Sequence, residues 1–221
     1  MPTMLDNERK RMWRRILFYG WILLGGAVTA GCEELTLSGL GPEEAFADPR
    51  VAALVKAIER EDLAAIDARL AEGADVNTYD LKRNTPLHWA LNKKGLKVTT
   101  LEHLLKRGGN PALPDADGDS PLWLLANSNR PDLVETMLRN GADPNVQIGS
   151  TSLIGEATLY QWEKNIDVLL KYGADVNIVD QFGQGIVCGK AAAVGRFDLV
   201  VRYLELGLNV DLIGCARYLE G

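Results

Sequence analysis

Apolar residues in the middle of the chain recur at the spacing of an α-helix. One stripe occupies positions i, i+3, i+4 and i+7, as expected for a single buried helix face: Val51, Leu54, Val55 and Ile58. A second stripe follows after a short polar gap: Leu63, Ile66 and Leu70. The pattern therefore predicts two consecutive amphipathic helices that pack together as a hairpin.

A glycine follows this hairpin and returns four more times at nearly constant spacing. The five glycines lie 35, 33, 32 and 34 residues apart: Gly73, Gly108, Gly141, Gly173 and Gly207. A stripe of large apolar residues precedes each later one: Leu101, Leu104, Leu105; Leu133, Val134, Met137, Leu138; Ile166, Leu169, Leu170; and Leu199, Val200, Tyr203, Leu204. Glycine ends helices because it adopts the left-handed conformation without a Cβ clash. The sequence thus predicts an all-α repeat domain of five helical hairpins over residues 49–213.

Each of the last four hairpins opens with a related sequence. The four openings are Thr85-Pro86-Leu87-His88, Ser120-Pro121-Leu122-Trp123, Ser152-Leu153-Ile154-Gly155 and Gly185-Ile186-Val187-Cys188. Thr85 can cap a helix, and Pro86 fits the first turn, where an N–H has no partner within the helix. The motif and its period resemble the ankyrin repeat. This resemblance implies an all-α ankyrin-repeat solenoid of about five helix-turn-helix units with short β-hairpin fingers. Its first unit and residues 214–221 would act as caps.

The first 31 residues have the composition of a secretory signal. A basic cluster precedes an apolar run over residues 16–30, which is too short for an ordinary membrane-spanning helix. The run ends in Thr-Ala-Gly before Cys32, which resembles the lipobox of bacterial lipoproteins, although Thr29 departs from its usual Leu or Val. The resemblance predicts a signal peptide at 1–31, lipidation of Cys32 and a flexible tether at 32–48. The alternative is an uncleaved signal anchor. Glu33 replaces the usual inner-membrane retention residue and favours the outer membrane.

The charge of the chain excludes some classes of partner. The formal net charge is −6, and removal of residues 1–31 leaves 19 basic and 28 acidic residues, a net charge of −9. Because nucleic-acid binding depends on neutralising phosphates with Lys and Arg, the sequence predicts no nucleic-acid partner. It favours a basic protein partner.

Cysteine usage predicts no disulfide scaffold. If Cys32 carries lipid, Cys188 and Cys215 remain. Two cysteines in an oxidising compartment can pair. Cys188 stands where the repeat signature has its buried histidine, and we therefore expect a free buried thiol there.

Two short stretches and one pair of histidines are candidates for known chemistry, and each fails on spacing. Residues 115–119 lack the calcium-loop glycine at position six and the glutamate at position twelve. Residues 183–189 misplace the third glycine of a dinucleotide fingerprint and follow no βαβ strand. The two histidines, His88 and His103, show no zinc-ligand spacing. The sequence accordingly predicts no metal, no cofactor, no catalytic residue and no enzyme.

The remaining candidate site is the groove that ankyrin arrays form from finger tips and first helices, as the resemblance implies. The predicted partner-binding residues are Leu81, Lys82, Arg83, Asn84, Trp89, Asn92, Lys93, Asp117, Asp119, Asn127, Tyr160, Phe182 and Gln184. Trp89, Tyr160 and Phe182 are the candidate aromatic anchors. Packing between repeats is an equal alternative for Trp89 and Tyr160, whereas binding is favoured for Phe182.

These features predict a non-catalytic protein-binding module that is lipid-anchored in the bacterial envelope and faces the periplasm. One purpose is an immunity protein that neutralises a secreted toxin or lipase effector. A second is an accessory factor for an envelope or periplasmic enzyme, such as a catalase. An enzyme containing ankyrin repeats is disfavoured, because the repeats use nearly the whole chain.

Overall fold

The computed structural model describes residues 40–125, 128–148 and 151–209. Contacts group the chain into two units, Met1–Leu35 and Thr36–Gly221, and all described residues belong to the second. The predicted signal peptide, Cys32, most of the tether, Asn127, Cys215 and the predicted cap at 214–221 lie outside the described residues. In the described part the secondary structure is eleven α-helices and one two-stranded hairpin, so the all-α prediction is confirmed.

The helices form one short leading element and five helical hairpins. The leading helix is α1 (Pro42–Ala45). The hairpins are α2 (Pro49–Glu59) with α3 (Leu63–Ala71), α4 (Pro86–Asn92) with α5 (Val98–Lys106), α6 (Pro121–Leu124) with α7 (Pro131–Arg139), α8 (Leu153–Leu159) with α9 (Glu163–Lys171), and α10 (Ile186–Ala193) with α11 (Phe197–Glu205). Strands β1 (Gln147–Ile148) and β2 (Thr151–Ser152) pair antiparallel just before α8.

The helices begin and end where the sequence supplies caps. The carboxylate of Asp62 accepts a hydrogen bond from the backbone N–H of Ala65 at 3.0 Å, and Ser152 Oγ accepts one from Gly155 at 3.1 Å. At the other end, the five repeating glycines have φ values of 88–93°. Only glycine adopts these angles without strain, so the predicted hairpin ends are confirmed.

The hairpins stack so that first helices pack on first helices and second helices on second helices. The stacking buries a continuous core from Val51 to Tyr203. One predicted core position is wrong: Leu204 is 44% exposed. It lies on α11, beyond which no described helix stacks to cover it.

The end of the predicted tether is part of the folded domain. Gly41 and Pro42 start helix α1, whose Ala45 is buried, and Phe46 is only 3% exposed. The Phe46 ring lies 5.9 Å from the Trp89 ring, centroid to centroid, and Ala45 accepts a hydrogen bond from the backbone of Leu81. Burial of Phe46 thus fixes residues that composition alone marked as flexible.

Candidate functional site

Three loops between hairpins share one hydrogen-bonded finger. In each, an aspartate accepts two backbone N–H bonds on a single Oδ1 and also bonds backbone to backbone with the residue four positions later. Asp80 accepts from Lys82 and Asn84 at 2.8 and 2.7 Å, Asp115 from Asp117 and Asp119 at 2.9 Å each, and Asp180 from Phe182 and Gln184 at 2.8 and 2.9 Å. A side chain that closes its own turn fixes the loop conformation. The fingers therefore present their tips in one repeated geometry.

The tips of the first and last of these fingers carry exposed hydrophobic residues. Leu81 is 72% exposed and Phe182 is 75% exposed. Large apolar side chains held outward on a fixed loop are suited to bury surface against a partner. Among the described residues, the other large exposed apolar side chains are Val179 beside the last finger and, on or just after α11, Phe197, Val201, Leu204 and Leu206.

The charge of the tips changes along the row. Lys82 and Arg83 make the first tip basic, and both are exposed. The next tip carries Asp117, which is exposed, and Asp119, which is half-buried. The charge of the finger tips therefore changes from basic at the first finger to acidic at the second.

Arg83 has an unusual backbone conformation. Its φ is +62°, whereas the equivalent residues of the other two fingers are glycines, Gly118 at +85° and Gly183 at +74°. Its guanidinium carbon lies 4.8 Å from the centre of the Tyr79 ring, which gives a cation–π contact. A non-glycine residue at this position bears a steric cost of about 1–2 kcal/mol. Residues held in such conformations cluster at functional sites.

Trp89 and Asn84 lie inside the domain. Trp89 is 5% exposed, and its indole Nε1–H donates to Oδ2 of Asp80 at 3.0 Å. Asn84 is also 5% exposed, and its side-chain amide donates to the same carboxylate. Of the two interpretations left open for Trp89, the structure favours packing, because the ring is buried and its N–H bonds to the aspartate that closes the finger. Trp89 therefore acts on the tip residues through Asp80 and does not itself lie at the tip.

Tyr160 occupies an intermediate environment. Its ring stacks on the ring of Trp162 with centroids 5.0 Å apart, and both residues are half-buried.

The other predicted binding residues differ in exposure: Asn92 is exposed, and Lys93 and Gln184 are half-buried. The structure therefore brings Leu81, Lys82, Arg83, Asp117 and Phe182 to finger tips, and their role in binding stays a prediction.

His88 bridges one hairpin to the next finger. Its Nδ1 accepts from the backbone N–H of Thr85 at 3.1 Å, so Nε2 carries the proton and donates to the carbonyl of Asp119 at 3.2 Å. Burial lowers the pKa of His88, against the opposing effect of the Asp119 hydrogen bond. The neutral ring therefore links two neighbouring units.

A ladder of asparagines, which sequence reasoning missed, also joins neighbouring units. Asn77 donates from its side-chain amide to the carbonyl of Gly108 at 2.9 Å and accepts from the N–H of Asn110 at 2.8 Å. Asn145 makes the same pair of bonds to Gly173 and Asp175, and Asn177 makes them to Gly207 and Asn209. The recurring Gly-Ala-Asp-x-Asn sequence was the available signal. The aspartates of the same sequence stabilise their own turns: Asp75, Asp143 and Asp175 each accept a hydrogen bond from the backbone N–H two residues later at 2.8 Å.

The described residues show neither a metal cluster nor a membrane-spanning helix. Within them, no three His, Cys, Asp or Glu side chains come together as metal ligands would. None of their helices has the combination of length and apolar character that crossing a bilayer requires.

Stacked helical hairpins with aspartate-closed fingers define a helical-repeat protein. More particularly, residues 52–148 match the family model for ankyrin repeats, in three copies. Residues 52–148 thus carry ankyrin repeats, and the fold is an all-α ankyrin solenoid. Ankyrin repeats are generally a non-catalytic fold that binds other proteins.

Curated relatives resemble the chain over its repeat region. It is 28% identical over 142 residues to the human palmitoyltransferase ZDHHC13, covering 63% of this chain and 22% of that protein. It is 31% identical over 159 residues to the mouse neurogenic locus notch homolog protein 1, covering 70% of this chain and 6% of that protein. A putative ankyrin repeat protein of Rickettsia felis is 29% identical over 142 residues, covering 54% of this chain and 52% of that protein. The chain spans at most about half the length of these three relatives.

Proposed function

We propose that this protein binds a partner protein with its row of finger tips while Cys32 anchors it by lipid to the bacterial envelope, facing the periplasm. Its purpose there is immunity: it neutralises a secreted toxin or lipase effector by occupying the effector's surface. The observation that carries the binding site is the outward presentation of Leu81 and Phe182 on fingers fixed by Asp80 and Asp180. Fixed fingers suit tight binding, because little conformational freedom is lost on association.

The envelope location is supported by the sequence before residue 40 and by one cysteine. The basic cluster, the apolar run and Cys32 follow the order of a lipoprotein signal. Cys188 is disulfide-bonded, so the free thiol expected from the sequence is wrong. Disulfides persist in oxidising compartments such as the periplasm. Both features fit export.

Purification from the native envelope tests the location and the purpose together. A C-terminally tagged chain is captured with its partner, and the intact mass of the mature protein is measured. A mass lacking residues 1–31 and carrying acyl chains, with one stoichiometric effector, supports the proposal. An unprocessed mass would indicate a signal anchor instead, and an endogenous enzyme as the main partner would favour the accessory role.

The binding surface is tested with two matched phenylalanines. We expect Phe182→Ala to weaken the partner complex at least tenfold, because exposed aromatic residues at an interface centre contribute most of the binding energy. Phe197 is the control: it is 63% exposed but lies on α11, a second helix, and not on a finger. Calorimetric titration of both variants, with circular dichroism to check folding, decides the matter. If Phe182→Ala and Phe197→Ala bind the partner with equal affinity, the finger tips are not the binding surface.

A further inference from the structure

Residues 41–46, here called the leading strap, lie against the first hairpin. Ala45 and Phe46 of the strap are buried in the core of the domain. At the surface, Glu43 forms an ion pair with Lys56 on α2. Because an exposed ion pair stabilises little, whereas a buried aromatic side chain stabilises much, the Phe46 ring is what holds the strap in place.

The strap reaches the first finger by two routes. Along the backbone, the N–H of Leu81 at the finger tip donates to the carbonyl oxygen of Ala45 at 3.1 Å. Through side chains, the Phe46 ring lies 5.9 Å from the Trp89 ring, centroid to centroid. The indole N–H of Trp89 in turn donates to Oδ2 of Asp80, which closes the finger. Both routes therefore connect the strap to the same loop.

The indole bond sets the orientation of the Asp80 carboxylate. Oδ2 accepts from Trp89 Nε1 and from the side-chain amide of Asn84, at 3.0 and 3.1 Å. Oδ1 accepts from the backbone N–H groups of Lys82 and Asn84. Because Asp80 is buried, each lost donor leaves part of a desolvated carboxylate without a partner. The finger therefore closes best when Trp89 is held in place.

The first finger needs this support more than the other two. Arg83 has a φ of +62°, where those fingers have glycine, so its closed conformation is strained. The residues equivalent to Trp89 in the other two units are Leu124 and Gly189, neither of which has a side-chain N–H to donate. The indole contact and the strained backbone thus occur in the same finger.

We propose, on the basis of the function proposed above, that the leading strap is a positioning element of the binding site. Phe46 acts through Trp89 on the first finger and keeps it in the conformation that presents Leu81 and Arg83. Phe46 and Trp89 are buried and contact no partner themselves. A finger that is already fixed loses less conformational freedom on association, so detachment of the strap lowers affinity without removing a contact.

Amide hydrogen exchange on the free full-length protein tests the support itself. In Phe46→Ala we expect the backbone amides of Leu81 and Asn84 to exchange roughly tenfold faster, because the first loses its acceptor on the strap and the second its fixed carboxylate. The amides of Phe182 and Gln184 close the last finger and should keep their wild-type rates. Wild-type exchange at both Leu81 and Asn84 would overturn the proposal.

Trp89→Phe separates the two routes. It keeps an aromatic ring beside Phe46 and removes the N–H that bonds to Asp80. We expect the Leu81 amide to keep its protection, since its acceptor on the strap is untouched, and the Asn84 amide to exchange faster. An unchanged Asn84 rate would show that the indole does not hold the finger, and the side-chain route would be wrong.

Calorimetric titration with the stoichiometric partner from the envelope purification tests the role in binding. We expect Phe46→Ala to weaken the complex about tenfold. Leu199→Ala is the matched control, because it truncates a buried side chain in the last hairpin and should leave affinity unchanged. Equal losses in the two variants would show that affinity follows overall stability and would overturn the proposal.

Failure of the strap and failure of the binding site give different results. If Phe46→Ala speeds exchange in the first finger but binds as wild type, the strap has no role in binding. The proposed function stands in that case when Phe182→Ala still weakens the complex. If Phe182→Ala also binds as wild type, the finger tips are not the binding surface, and both proposals fail.

Discussion

At the scale of single residues, Arg83 combines a backbone cost with an exposed side chain. The equivalent residues of two other fingers are glycines with the same positive φ, so the fold itself favours glycine there. An arginine maintained against this preference implies a role for its side chain at the tip.

Arg83→Gly should therefore separate stability from function. We expect the free energy of unfolding to stay constant or rise by up to about 1 kcal/mol, because the left-handed strain is relieved while the unfolded chain gains freedom. Partner affinity should fall, since the first tip loses the exposed Arg83 side chain and the contacts that it makes. Denaturant unfolding and calorimetric titration provide the two readouts. Arg83→Ala keeps the strain and is the control; Arg83→Gly binding as tightly as wild type would remove Arg83 from the site.

His88 makes the domain sensitive to mild acid. Burial lowers its pKa below the usual value of about 6.5, so the unfolded chain binds more protons in the window beneath that value. Stability contributed by the neutral ring is present above pH 6.5 and is lost as the pH falls toward the lowered pKa. Thermal unfolding between pH 7.5 and 5.5 should show a smaller decrease in midpoint for His88→Gln than for wild type. An identical decrease in both would assign the effect to other groups.

At the scale of elements, the first helices of the last two hairpins are joined by an ion pair between a buried glutamate and a half-buried lysine. Glu156 on α8 is 2% exposed, accepts a hydrogen bond from Thr151 Oγ1 at 2.6 Å and lies 3.5 Å from Nζ of Lys190 on α10. Both are charged residues in otherwise small and apolar helices, one repeat length apart. That spacing was a signal that the sequence offered and that the groove assignment overlooked.

Lys190→Met should destabilise the array by about 2–4 kcal/mol, because it leaves the buried Glu156 carboxylate without its cationic partner. The double variant Lys190→Met with Glu156→Gln should recover part of this loss, since no buried carboxylate charge then remains. Denaturant unfolding of the wild type, the two single variants and the double variant completes a double-mutant cycle and gives the interaction energy of the pair. Strictly additive effects would show that the two residues do not interact.

At the scale of the whole molecule, the repeat architecture was predictable because it depends on local chemistry. Glycines at hairpin ends require a conformation that other residues avoid, and apolar spacing defines the helix faces. Features that depend on contacts between one unit and the next, or with the leading segment, were not predictable. Trp89 is buried because Phe46 packs on it from a segment that composition marked as flexible. Gly155 replaces the signature histidine, and a Cβ there would lie only 2.6 Å from Cγ2 of Ile186 in the next unit.

The net charge of the molecule affects how fast it meets its partner more than how long it stays bound. With a net charge of −6, or −9 after removal of residues 1–31, it attracts a basic partner over a distance that salt shortens to about 8 Å at physiological ionic strength.

We expect the association rate to fall steeply as salt rises, with the dissociation rate nearly constant. Asp117→Asn at an exposed tip should slow association, whereas Phe182→Ala should speed dissociation, because its contribution comes from buried apolar area. Stopped-flow mixing at several salt concentrations separates the two rates. If Asp117→Asn changes only the dissociation rate, or if the association rate does not depend on salt, long-range electrostatic attraction does not drive association.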